Sequence, residues 1–345
     1  MIGNGGSAVG RSQLANWMVE RARAVGAKQT LQDVERYITQ DTFEAHQVMV
    51  LSGLPVESEM DIGGGVRLVP THAVPNQHLQ VVLGRGHWNG LPTPDISSTL
   101  IRSFTHKKVH SPQDDQTGEG QPSHGCVPDE VQQALTDAHL CLALVRTGGC
   151  GVQALGSTTV AGDQVPILNG FGWWTHSYRA PRFAAPLIDV EGRNAKRLHE
   201  SFISLEASDQ KHLRIPMQKL NECVASSGGV QAAIDLRLAL ESLFLNDNTQ
   251  GELRYRLALR AALFTGGDRG RRVESRKKIN DVYDACSDAI HNGSIASKKA
   301  DRADFKWARE VVQGALRRMI LEGNARPDWG VIELQGGLLE NEQSP

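Results

Sequence analysis

The sequence predicts an α+β region over residues 1–197 followed by an all-α helical bundle over 198–325, with residues 326–345 as a C-terminal tail. Three observations lead there. VESEMDIGGGVRLVP (56–70), HLQVVLG (78–84) and GGCGVQALGSTTVAG (148–162) are short β-type runs broken by glycine. From about Lys196 the chain turns to long segments with apolar residues at helical spacing. Among them AAIDLRLALESLFL (232–245) is apolar nearly all round, as a buried central helix should be.

The elements follow in order. A helix is expected from Ser12, with Leu14, Trp17, Met18 and Val25 on one face. Thr30 fits the cap of a second helix with Asp33 in its first turn and Val34 and Ile38 turned inward. Residues 85–130 are rich in Gly, Pro, Ser and His, and SPQDDQTGEGQPSHG reads as a loop or insert. A helix is expected from Pro128 to about Val145, and residues 165–190, with Trp173 and Trp174, read as irregular. The bundle then holds helices at 213–227, 232–245, 251–264, 273–291 and 301–322. Short loops between them call for antiparallel packing. The chain after about Gln335 is expected to be loose.

Composition narrows the function classes. The 345 residues are 40% hydrophobic and 22% charged, with a net charge of −2, so no global basic excess points to nucleic acid. A local patch can still serve. Cys126, Cys141, Cys150, Cys223 and Cys286 stand far apart with no C-x-x-C pair, which argues against a zinc ribbon and fits a reducing, cytoplasmic setting. No apolar run reaches the roughly 18 residues of a membrane helix, so no membrane partner is expected. His106 and His110 with Asp114 and Asp115 have a spacing a metal could use, but they sit in a polar loop, and neither metal nor cofactor is expected. The clusters Gly3–Gly6 and Gly63–Gly65 lack the Gly-Lys-Ser/Thr of a phosphate loop.

The stretch YDACSDAIHNG (283–293) carries the sharpest signal. Tyr283, Cys286 and Ile290 make a helical stripe, and His291-Asn292-Gly293 is a helix stop. A histidine there suits the negative end of the helix dipole, and equally suits acid–base work near neutral pH. Asp284 and Asp288 lie on its side of the helix, where they could keep it protonated.

IDLRLALESLFLNDNTQGELRYRLALRAALF followed by KKINDVYDACSDAIHNG resembles the Apea-like branch of the HEPN superfamily over roughly residues 200–325. Asp235 and Glu241 in an apolar helix, the run Tyr255–Ala261 and the closing His-x-Gly carry the resemblance. The first 197 residues are similar to regions upstream of this domain and imply no activity.

The resemblance implies a dimerising helical bundle. It also implies metal-independent endoribonuclease activity in many members, with an arginine and a histidine from each protomer meeting across the dimer axis. His291 matches that histidine as the acid–base residue, while the arginine position five residues earlier is Cys286. A cysteine cannot supply the permanent charge and paired donors that stabilise a phosphorane. Arg256 and Arg260, four apart on one face, could move in; otherwise they form an internal ion pair with the structural polar residues Glu241 or Asp235. Asn292 and the basic run Arg269, Arg271, Arg272, Arg276, Lys277 and Lys278, with Lys298, Lys299 and Arg302 beyond, are the residues suited to an RNA backbone. The expectation is a homodimeric, RNA-directed protein of a bacterial defence or toxin-type system, its N-terminal region sensing a trigger. The alternative is an inactive dimerisation or nucleotide-binding module.

Overall fold

The computed structural model describes residues 11–39, 42–74, 87–88, 91–92, 96–107, 128–146, 150–159, 170–172, 185–226, 229–247 and 251–336. His78–Gly84, His110, Asp114, Asp115, Cys126, Trp173, Trp174 and the Gly3–Gly6 cluster lie outside them, as does the stretch after Gly336. The chain divides into two compact units, 1–138 with 151–192, and 139–150 with 193–345. The expected division at 197 therefore misses a segment, since residues 139–150 belong to the helical unit.

In the first unit, helices α1 (Arg11–Val25) and α2 (Ala27–Thr39) are joined at Gly26, whose φ of 88° suits glycine alone. Thr30 is not a cap: α2 has already begun, and its hydroxyl bonds back to the Gly26 carbonyl at 2.9 Å. Asp33 is accordingly inside the helix, 1% exposed, where it receives Arg21 at 3.0 Å, Arg36 at 2.7 Å and Gln29 at 3.1 Å. The short pairing of α1 with α2 is thus tied by one buried carboxylate.

The strands are β1 (Thr42–Ser52), β2 (Met60–Gly63), β3 (Val66–Pro70), β4 (His87–Trp88), β5 (Leu91–Pro92), β6 (Ile96–Lys107), β7 (Gly151–Thr159) and β8 (Gly170–Gly172). Six of them form an antiparallel sheet in the order β2-β3-β6-β1-β7-β8. Gly63, Gly64 and Gly65, all with positive φ, turn β2 into β3, as the glycine break predicts. The central strand β1 is buried from Ala45 to Ser52, so it lacks the polar–apolar alternation that betrays a half-exposed strand. Strand β6 emerges from the Gly/Pro-rich stretch, which is therefore not all loop. The helix α3 (Asp129–Ala143) opens against this sheet, Val131 packing with Ala45 and Phe104.

The second unit contains α4 (Asp189–Ile203), whose first turn begins in the other unit, then α5 (Ala207–Ala225), α6 (Gly229–Phe244), α7 (Leu253–Thr265), α8 (Arg269–Asn292), α9 (Ser297–Ala300), α10 (Phe305–Leu321) and α11 (Trp329–Gln335). The helix α6 is the centre: Leu236, Ala239, Leu240, Leu243 and Phe244 are fully buried, each of the larger ones contributing about 1.5–3 kcal/mol of transfer free energy. Pro216 lies well inside α5 rather than near its start, because the helix begins six residues before the expected Leu213.

The stretch assigned to a tail contributes to this core. Trp329, 3% exposed, packs between Phe244 and Phe264 at centroid distances of 5.7 and 6.0 Å, so α11 belongs to the bundle. No helix among the described residues is long and apolar enough to cross a membrane.

Candidate functional site

The helix α8 carries both the matched histidine and the basic run. Asp268 caps its start, accepting from the Arg271 amide at 2.8 Å, and Gly293 closes it in the left-handed conformation at φ 63°. Its buried stripe is Ile279, Val282, Tyr283, Cys286 and Ala289; Ile290, expected on that stripe, is 41% exposed. His291 and Asn292 lie exposed on the last turn.

The two carboxylates that sequence placed beside His291 are held by other cations. Asp284 receives Arg254 at 2.7 Å and Asp288 receives Lys299 at 2.6 Å. The Lys299 hydrogen bond, foremost, holds the Asp288 carboxyl below its ordinary range, with the His291 charge as a minor contributor.

Arg256 and Arg260 do not reach the histidine. Arg254 on α7 marks the level of Asp284, and the antiparallel hairpin turns at 266–268. Arg260 lies six residues from that level toward the turn and His291 seven residues away from it, which at 1.5 Å per residue separates them by about 20 Å. Arg260 is 4% exposed and fully engaged: its Nε donates to Glu333 at 2.6 Å, Nη1 to the Phe244 carbonyl at 3.0 Å and Nη2 to Asp247 at 2.8 Å, with its guanidinium over Trp329. Arg256 shares Asp247. The internal ion pair expected for these arginines is thus present, but its acids are Asp247 and Glu333 rather than Glu241 or Asp235. Burial opposes the Arg260 charge, and Asp247 with Glu333 more than offsets it, so its pKa is raised.

Glu241 and Asp235 serve elsewhere. Asp235, 3% exposed, receives Lys219 at 3.2 Å and Gln231 at 3.0 Å. Glu241 receives Arg237 at 2.7 Å and the Tyr283 hydroxyl at 3.1 Å. Arg237 closes the triangle, donating Nη2 to the Tyr283 oxygen at 3.0 Å while its Nη1 is buried without a partner. Burial and the neighbouring Glu241 charge raise the Tyr283 pKa. Cys286 sits one turn on, 0% exposed, its thiol pushed up to about 12 chiefly by burial. The cation next to the expected arginine position is therefore Arg237 of α6. Its one signal in sequence is that it is the sole cation within AAIDLRLALESLFL.

The basic run occupies the other end of α8. Arg276 stacks on Tyr255 at 4.6 Å, and Lys278 pairs with Glu274 and Asp304. Arg272 donates to the Gly267 and Gly336 carbonyls. Among the described residues Arg269, Arg271, Arg272, Arg276 and Lys277 have no carboxylate partner, and the first turn of α8 holds no acid. Lys277 is fourteen residues from His291, about 21 Å along the axis.

No family model, curated protein or solved structure matches this chain.

Proposed function

We propose that this chain is a degenerate member of the HEPN superfamily: a homodimeric, RNA-directed helical module of a bacterial defence or toxin-type system. In it the head of α8 contacts the nucleic acid and the His291 end has lost ribonuclease chemistry. The observation that carries the RNA contact is the cation cluster Arg269, Arg271, Arg272, Arg276 and Lys277, which has no carboxylate partner among the described residues. A helix start favours negative charge, by about 0.3–1 kcal/mol per group, and beyond its Asp268 cap the first turn of α8 holds arginines and no acid. A polyanion relieves that repulsion. The loss of cleavage rests on Cys286, buried in the core, and on Arg256 and Arg260, neutralised about 14 and 20 Å along the helices from the imidazole.

The test is filter binding of a labelled single-stranded RNA across a salt series. Binding should weaken steeply with salt, and Lys277→Gln should lower the slope of log K against log salt by about 0.7. Salt-independent binding, or none, removes RNA from the account.

A second reading keeps residual cleavage. Arg237 lies beside Cys286, the arginine position that the resemblance implies, and its Nη1 is buried without a partner, so among the described residues it is the one nearby cation that an opening of this site would free. In that case Arg237→Ala and His291→Ala would abolish the same trace activity in chelator.

A further inference from the structure

Between the C-terminal end of α3, α5 and the face of α10 lies a cavity of about 120 Å³. It is separate from both ends of α8 and independent of the RNA reading. The apolar part of its wall includes Leu144, Met217 and Leu220, all buried. Its amide side chains are fixed by the backbone. Asn221 donates to the Cys150 carbonyl at 3.0 Å and accepts from the Cys150 amide at 3.2 Å, while Gln313 donates to the Leu144 carbonyl at 2.8 Å.

The charges are lopsided. Among the described residues the wall holds Arg146, Lys306 and Arg309 against the single carboxylate of Glu310, which Lys306 approaches to 4.0 Å. Arg309 is half-buried and has no carboxylate partner among the described residues; its guanidinium donates to the Cys223 sulfur, a thiol and not an anion. Two turns along, Arg317 donates to the Leu144 and Val145 carbonyls at 2.5 and 2.6 Å, and burial lowers its pKa with no acid to restore it. The end of α3 is thus already capped by Gln313 and Arg317, so Arg309 is not needed there, and its contact with the Cys223 sulfur leaves its charge unbalanced. A half-buried arginine that lines a cavity and has no carboxylate partner among the described residues has the makings of an anion site.

We propose that this cavity binds a small anion, a phosphate or carboxylate group, with Arg309 as its principal partner, Lys306 at the mouth and the Gln313 and Asn221 amides beside it. The volume sets the size: it is smaller than the roughly 150 Å³ cavity that holds a benzene ring, so one charged head group fits and any larger body of the ligand extends into solvent.

The experiment is isothermal titration of the intact chain at low ionic strength with inorganic phosphate, with acetate, and with acetamide as a neutral probe of acetate's size. Saturable binding of phosphate, acetate or both, with no binding of acetamide, is expected; phosphate alone points to a phosphorylated ligand and acetate alone to a carboxylate. Arg309→Gln should weaken binding at least tenfold. Lys306→Gln, at a side chain 79% exposed and therefore safe for folding, should weaken it two- to fivefold. Absence of saturable binding to either anion at millimolar concentration overturns the proposal. So does unchanged affinity in both variants when their circular dichroism matches the parent.

Discussion

The guanidinium of Arg237 lies 4.6 Å from the centre of the Tyr283 ring, and its Nη2 donates to the hydroxyl of that same tyrosine at 3.0 Å. This contact joins the central helix α6 to α8 one turn before Cys286. Glu241 completes it by accepting from both residues. Replacing Tyr283 by Phe keeps the ring stack but removes the hydroxyl. The expected loss is about 1–3 kcal/mol, because two hydrogen bonds involving charged groups go at once. Urea unfolding measures it; a change within experimental error would show that the triangle holds nothing together.

Placing arginine at this position by Cys286→Arg should not confer ribonuclease activity. The site is fully buried and already faces Arg237, so a second guanidinium meets like charge and closed packing. The expected cost is on the order of 3 kcal/mol or more. In the double variant Arg237→Ala/Cys286→Arg, Glu241 regains a cation, and the double-mutant cycle should show a favourable coupling of about 1 kcal/mol. Additive effects would place the two side chains out of reach of each other.

Arg260→Ala should be among the most damaging single substitutions in the helical unit. It leaves Asp247 and Glu333 without their shared cation and frees the Phe244 carbonyl, for a loss of about 3–5 kcal/mol. Arg256→Ala, which spares the Glu333 contact, should cost less. A stable, fully folded Arg260→Ala protein would instead return that residue to the list of functional cations.

Acid should weaken the helical unit through His212. Trp329 Nε1 can only donate, so Asn246 must present its oxygen to it, at 2.7 Å, and its amide nitrogen to His212 Nε2, at 3.2 Å. That nitrogen therefore accepts, and the imidazole is neutral. Burial first, and then the Arg326 charge, lower its pKa from the ordinary 6.5. The unfolded chain then takes up the proton first. Stability is full above about pH 6.5, declines as pH falls below it, and levels off once the folded-state pKa is passed. Denaturation at pH 7 and pH 5 should show a smaller difference for His212→Gln than for the parent. His46, lowered chiefly by burial, adds a slope of the same sign from the first unit.

Much of the helical unit was legible from its apolar spacing: four bundle helices fall within four residues of their expected ranges, the fifth begins six residues early, and Gly293 ends α8 as the His-Asn-Gly stop implies. What escaped was set by tertiary partners. β1 is covered on both sides and so shows no alternation, and β6 sits in a stretch whose composition speaks of loops. Trp329 looked like part of a tail because seven residues of helix offer no periodicity to read. At the site, charge pairing is legible for Arg256 and Arg260 but their partners are not, since Asp247 stands in the loop before their helix and Glu333 in a short helix 73 residues beyond Arg260. The role of Arg237 was hidden for the same reason: Glu241 is its neighbour in sequence, but Tyr283 is 46 residues away.

The central claim is that the His291 end of α8 no longer cleaves RNA. It is tested by incubating the purified parent and His291→Ala proteins with end-labelled RNA in chelator and resolving the products over hours. The account predicts identical, uncut RNA in both lanes. Fragments that accumulate with the parent and vanish with His291→Ala would contradict it.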